Sequence, residues 1–191
     1  MAKVTEPLLP KAERLRAIPQ VRPFHVVLVE PEIPPNTGNI ARLCGATCCP
    51  LHLVGKLGFR IDEHAVRRAG LDYWHLVEVR HHEDLRSCET EIEALREPQQ
   101  SRKQWFFTGR ATQSFYDADI RVGDAFVFGK ESVGLDEGLL LQHPDSLVAI
   151  PTLGHVRSLN LANCVSIVLF EALRRNGLLG LPQESVTVRD E

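Results

Sequence analysis

The sequence predicts a single α/β domain built on a parallel sheet flanked by helices. Short apolar runs rich in β-branched and aromatic residues recur along the chain, and segments of helical period fall between them. The longest helical run directly follows the last strand candidate. There Leu161, Ala162, Val165, Val168, Leu169, Ala172 and Leu173 recur at three- and four-residue steps. The chain has 191 residues, 43% of them hydrophobic, which is enough for a real core.

Residues 1–23 hold four prolines between basic residues and read as a flexible, mildly basic arm. Residues 24–177 form the expected domain and 178–191 a tail. Phe24–Glu30 (FHVVLVE) is a buried-strand pattern. Pro31, Pro34 and Pro35 then force an extended loop, and Asn36 or Thr37 is expected to cap a helix from about Gly38 that turns Ile40, Ala41 and Cys44 inward. Leu51–Val54 is the second strand, and this β–loop–α–β unit implies parallel pairing. Asp62 can cap a short helix through Ala69 that would display Arg67 and Arg68. Tyr73–Val79 is the third strand candidate, and Glu83–Leu95 an amphipathic helix through Leu85, Cys88, Ile92 and Leu95. Gln104–Thr108 and Asp124–Phe128 are the fourth and fifth strands, a short helix follows through Leu139–Gln142, and Ser146–Ile150 is the sixth. Pro151 ends that strand. Ser158 stands where an N-cap belongs, Arg174 and Arg175 suit the last helical turn, and Gly177 is a C′ stop.

Several classes are excluded. There is no apolar run long enough to span a bilayer and no signal-peptide pattern, so a cytoplasmic location is expected and no membrane. The net charge of −3 leaves nucleic-acid binding to a local patch. Five cysteines without paired C-x-x-C spacing give neither a disulfide framework nor a zinc ribbon, and the eight histidines show no ligand spacing, so no metal is assigned.

Three glycine-containing loops follow strand ends: Thr108-Gly109, Phe128-Gly129-Lys130-Glu131, and Ile150 through Ser158 with Gly154 inside. In a parallel sheet all three can open on one edge, with Phe107 and Ile150 placed to sandwich a base. None matches G-x-G-x-x-G or a P-loop, which argues against a dinucleotide-dependent dehydrogenase.

NTGNIARLC (36–44), LHLVGKLGF (51–59), RAGLDYWH (68–75), FGKESVGL (128–135) and IPTLGHVRSLNLANCVSIVLFEALR (150–174) together resemble the SPOUT superfamily of RNA methyltransferases. Within it they are most similar to the small tRNA wobble-position 2′-O-methyltransferases. The resemblance implies an α/β fold with a C-terminal deep trefoil knot, a homodimer using the Leu159–Arg175 helix, tRNA bound through its anticodon loop, and S-adenosyl-L-methionine as cofactor. By position, Phe107, Gly129, Ile150, Ser158 and Leu159 would contact that cofactor.

The reaction so implied is methyl transfer to a ribose 2′-hydroxyl. Arg42 matches the arginine proposed to assist it, positioning phosphate or polarising the hydroxyl; an arginine is a poor base. Asn36 would hydrogen-bond RNA or hold its loop, with a helix cap as the competing role. Arg157 would hold phosphate, unless it pairs with a carboxylate. Glu131 would bind the loop of the first motif or orient a catalytic group, with loop structure the favoured reading. FGKES stands where FGPET is usual, GLDE replaces GLP, and Phe170 replaces a frequent tyrosine. Other enzymes of the same chemistry act on other tRNA or rRNA riboses, and a non-catalytic RNA binder could keep the fold.

Overall fold

The computed structural model describes residues 16–59, 77–101, 103–156 and 158–180. Six strands form one parallel sheet: β1 (His25–Val29), β2 (Leu51–Val54), β3 (Val79–His82), β4 (Gln104–Phe107), β5 (Ala125–Phe128) and β6 (Leu147–Val148). Their spatial order is β3-β2-β1-β5-β4-β6. Helices α1 (Pro34–Thr47), α2 (Leu85–Leu95), α3 (Glu137–Gln142) and α4 (Leu161–Arg175) connect or follow them. The predicted single parallel α/β domain is therefore present.

Because side chains alternate along a strand, the central strands feed two cores. Val26, Leu28, Leu51, Leu53, Phe126 and Phe128 face α1 and α4, which contribute Ile40, Ala41, Cys44, Val165, Val168 and Leu169. Val27, Val54, Phe106 and Val127 face the other way, toward Cys88, Leu135 and Leu140. Strands buried on both faces explain why their sequences read as unbroken apolar runs. Trp105 is buried in the first core, and its indole N–H donates to Asp124 Oδ2 at 2.9 Å. Burial raises the Asp124 carboxyl above its usual range.

Four expectations are corrected. The third strand begins at Val79, where Tyr73–Val79 was expected; residues 71–76 lie outside those described. The sixth stops at Val148, because Ala149 turns away to exchange backbone hydrogen bonds with Gln113 and Phe115. Helix α1 begins at Pro34 with Ile33 as N-cap, and no side chain of its own caps it, so neither Asn36 nor Thr37 does. Proline suits that first position, since its missing N–H would have no helical partner. Helix α4 is capped by Asn160, not Ser158: the Asn160 side chain accepts from the Ala162 and Asn163 N–H groups. Its other end follows expectation. Gly177 is left-handed at φ +68°, and the Gly177 and Leu178 N–H groups return to the Arg174 and Leu173 carbonyls. The expected helix from Asp62, with Arg67 and Arg68, lies outside the described residues, as does the arm up to residue 15.

Candidate active site

The C-terminal ends of β4, β5 and β6 open onto one cavity of about 980 Å³. Phe107, Gly129, Ile150, Ser158 and Leu159 all line it, and Asn36 joins them from the first turn of α1. Gly109 lines it too, whereas Gly154 does not: the third loop contributes through its two ends. Arg42 is exposed on α1 and is not among the lining residues. Six residues beyond Asn36 correspond to about 9 Å along the axis and about 120° around it. Arg157 lies outside the described residues.

The loops are fastened to one another by side chains. The Glu131 carboxylate accepts from the Glu32 N–H at 2.8 Å, the Ile33 N–H at 3.3 Å and the Asn36 amide at 3.0 Å. A carboxylate at the start of α1 also suits the helix dipole. In return Ser132 donates its N–H and hydroxyl to the Glu32 carboxylate, at 3.0 and 2.9 Å. Lys130 pairs with Glu30, which holds the Glu30 carboxyl below its usual range. Asn36 then accepts from the Asn160 amide at 3.0 Å. One chain of polar contacts thus runs from Glu131 through Asn36 to the cap of α4, fixing the orientation of both amides.

The glycines play different parts. A Cβ on Gly129 would lie 2.2 Å from the Gly134 carbonyl carbon, so this residue is demanded by its own loop, which folds back as Lys130 and Gly134 exchange backbone hydrogen bonds. A Cβ on Gly109 would meet nothing within 4 Å. The Phe107 ring stacks on Phe128 with centroids 4.6 Å apart, so it offers the cavity a supported apolar wall.

The cavity's size lies at the upper end of small-molecule sites, at roughly 300–1,000 Å³. Glycine backbone, apolar walls and amide-bearing residues together fit an adenosyl-type ligand, and leave room beyond it. The sequence assigns Asn160 and Lys130 no role, although Asn160 is detectable as a capping residue directly before Leu161. The structure brings Glu131 onto residues 32–36, in line with binding to the first-motif loop, whereas its particular partners there are set only by a contact across nearly the whole domain.

Comparison with known proteins agrees with this geometry. Residues 23–170 match the SpoU rRNA Methylase family. A tRNA (cytidine(34)-2′-O)-methyltransferase of Acidovorax sp. (strain JS42) is 45% identical over 163 residues, covering 84% of this chain and 97% of that protein. One of the same name from Burkholderia pseudomallei (strain 1106a) is 45% identical over 158 residues, covering 82% and 98%. A solved structure described as giving insights into the 2-OH methylation of C/U34 on tRNA is 41% identical, with a TM-score of 0.69, covering 80% of this chain and 95% of that one. With the cavity, its loops and these similarities in place, the chain belongs to the SpoU methylase family of RNA methyltransferases.

Proposed function

We propose that this protein methylates the ribose 2′-hydroxyl of the wobble nucleotide of tRNA, cytidine or modified uridine, using S-adenosyl-L-methionine. The observation that carries the reading is the convergence of the β4, β5 and β6 loops with the start of α1 on one cavity. The extent of the relatives' similarity, nearly their whole length, supports the substrate.

The cofactor supplies an electrophilic sulfonium methyl; the chain must bind it, align the hydroxyl and ease loss of its proton. Phe107, Ile150 and Leu159 would hold the adenosyl group by apolar contact, and the Gly129 and Ser158 backbone would complete its cradle. Asn36, with its amide fixed by Glu131 and Asn160, would orient RNA at the cavity mouth. Arg42 would act on the ribose or its phosphate from the exposed side of α1, as Arg157 would from the third loop. Glu131 is a positioning residue in this scheme. The transfer itself calls for no metal.

The finer architecture belongs to the same proposal. Residues 24–177 form the catalytic domain, with 1–23 and 178–191 as appendages, in the cytoplasm. The C-terminal part would be tied in a deep trefoil knot; support comes from α4, which follows the edge strand β6 and packs beside α1 in the core under β1. A homodimer would use α4, where Phe170 is 48% exposed beside half-buried Ile167. Among the described residues, no helix is long and apolar enough to cross a membrane.

The test is transfer of labelled methyl from S-adenosylmethionine to tRNA by the full chain, with cofactor binding followed by calorimetry. The reading expects transfer, and expects Arg42→Ala to slow it by about 100-fold or more while cofactor binding persists. Absence of cofactor heat would overturn the reading; undiminished transfer by Arg42→Ala would remove that residue's role.

A further inference from the structure

Three imidazoles stand in a row across β1, β2 and β3, on the half of the sheet away from the cavity. His25 Nδ1 lies 3.1 Å from His52 Nε2, and His52 Nδ1 lies 2.9 Å from His82 Nε2. His82 Nδ1 in turn lies 3.4 Å from Glu91 Oε2 on α2. His25, His52 and His82 are 1%, 0% and 5% exposed. Over the same face α2 places Cys88, fully buried, and one ligand atom from each of His52, His82 and Cys88 lies within 4.8 Å of the others. None of these groups takes part in the proposed methyl transfer.

We propose that His52, His82 and Cys88 form a structural site for a thiophilic d¹⁰ cation, Zn²⁺ or Cu⁺, clamping β2, the edge strand β3 and helix α2 together. Two ring nitrogens already converge, 2.9 Å apart across a hydrogen bond, and part to roughly 3.3 Å to share an ion held at about 2.0–2.1 Å. Two imidazoles and a thiolate are the donors such cations select. The arrangement beyond the ligands is that of a metal centre. His82 presents its second nitrogen to the Glu91 carboxylate and His52 presents its own to His25, so each ligand ring has an outer partner that fixes its tautomer.

The charge and protons balance. Binding breaks the Cys88 S–H bond and forms a sulfur–metal bond, and the proton passes to buffer. The proton between His52 and His82 moves to His52 Nε2, and the one on His25 shifts to its outer nitrogen, with none gained or lost. Thiolate with Cu⁺ is neutral, as a buried site requires; with Zn²⁺ the carboxylates of Glu91 and Glu78 together offset the remaining charge and that of Arg80, which pairs with both. Metal–nitrogen distances near 2.0–2.1 Å and metal–sulfur near 2.3 Å require the Cys88 side chain to close by roughly 1 Å.

The full chain, stripped with chelator, is titrated with Zn²⁺, with Co²⁺ as its spectroscopic stand-in, and under reducing anaerobic conditions with Cu⁺. The expected result is one equivalent bound by at least one of the two proposed ions and a raised Tm. If Zn²⁺ is the ion, a sulfur-to-cobalt charge-transfer band appears with Co²⁺. Cys88→Ser should abolish that band and weaken binding about 100-fold or more, whereas Cys48→Ser, at an exposed cysteine, should leave both unchanged. Glu91→Gln, a half-exposed change compatible with folding, should weaken binding about 10-fold through His82. Failure of both ions to bind stoichiometrically, or equal binding by the Cys88→Ser protein, would overturn the proposal.

Discussion

Single residues decide whether the cavity loops can close. Gly129 has no room for a methyl group, its virtual Cβ lying 2.2 Å from the Gly134 backbone. Gly129→Ala should cost about 1–3 kcal/mol of stability by overpacking and weaken cofactor binding, measured by denaturant unfolding and calorimetry. Gly109→Ala is the contrast: with nothing within 4 Å, stability should stay within about 0.5 kcal/mol while cofactor binding falls. Charge acts at the same scale. Glu78 accepts a bidentate pair of hydrogen bonds from Arg22, which lowers its pKa from 4.5 to about 2. The folded state then binds fewer protons than the unfolded one between those values, so this stabilisation is complete above about pH 4.5 and is lost as pH falls toward 2. Glu78→Gln should therefore be less stable than the parent at pH 7, with the gap closing near pH 2, followed by thermal unfolding across pH.

Elements show which signals the sequence carries. Strands β1, β2 and β5 are legible because they are buried on both faces and read as apolar runs. Strand β3 is not: VRHH is polar, and its buried last residue, His82, is satisfied by a hydrogen bond shared with His52, which hydropathy does not register. Helix starts mislead for a related reason. Local capping preference points to Asn36 or Thr37, yet the groups at the start of α1 are satisfied by Glu131, brought there only by the finished fold. Thr37 Oγ1 is left buried without a hydrogen-bond partner. In α4 the cap and the cavity are coupled, because Asn160 both caps the helix and holds Asn36. Asn160→Ala should cost about 0.5–2 kcal/mol in denaturant unfolding. Combined with Asn36→Ala it should be less than additive, since the two lose a shared contact. Leu169→Ala, at a fully buried position of the same helix, should cost about 2–5 kcal/mol.

At the scale of the molecule, fold class and cavity were both readable in outline. Alternating strands and helices specify a parallel α/β domain, and in such a sheet the loops after the strands share one edge. Phe107, Gly129, Ile150, Ser158 and Leu159 accordingly come together. Arg42 does not reach the lining, because helical geometry carries it along and around α1 from Asn36. Nor could periodicity reveal the histidine row, whose members are 27 and 30 residues apart and meet only through strand register. The central claim is that this cavity delivers a methyl group to one ribose. The most direct measurement is mass-spectrometric mapping of unmodified tRNA after incubation with the protein and S-adenosylmethionine. A single added methyl is expected on the 2′-oxygen of nucleotide 34, the position in the relatives' names. A tRNA left unmethylated, or methylated on a base or on another ribose, would contradict it.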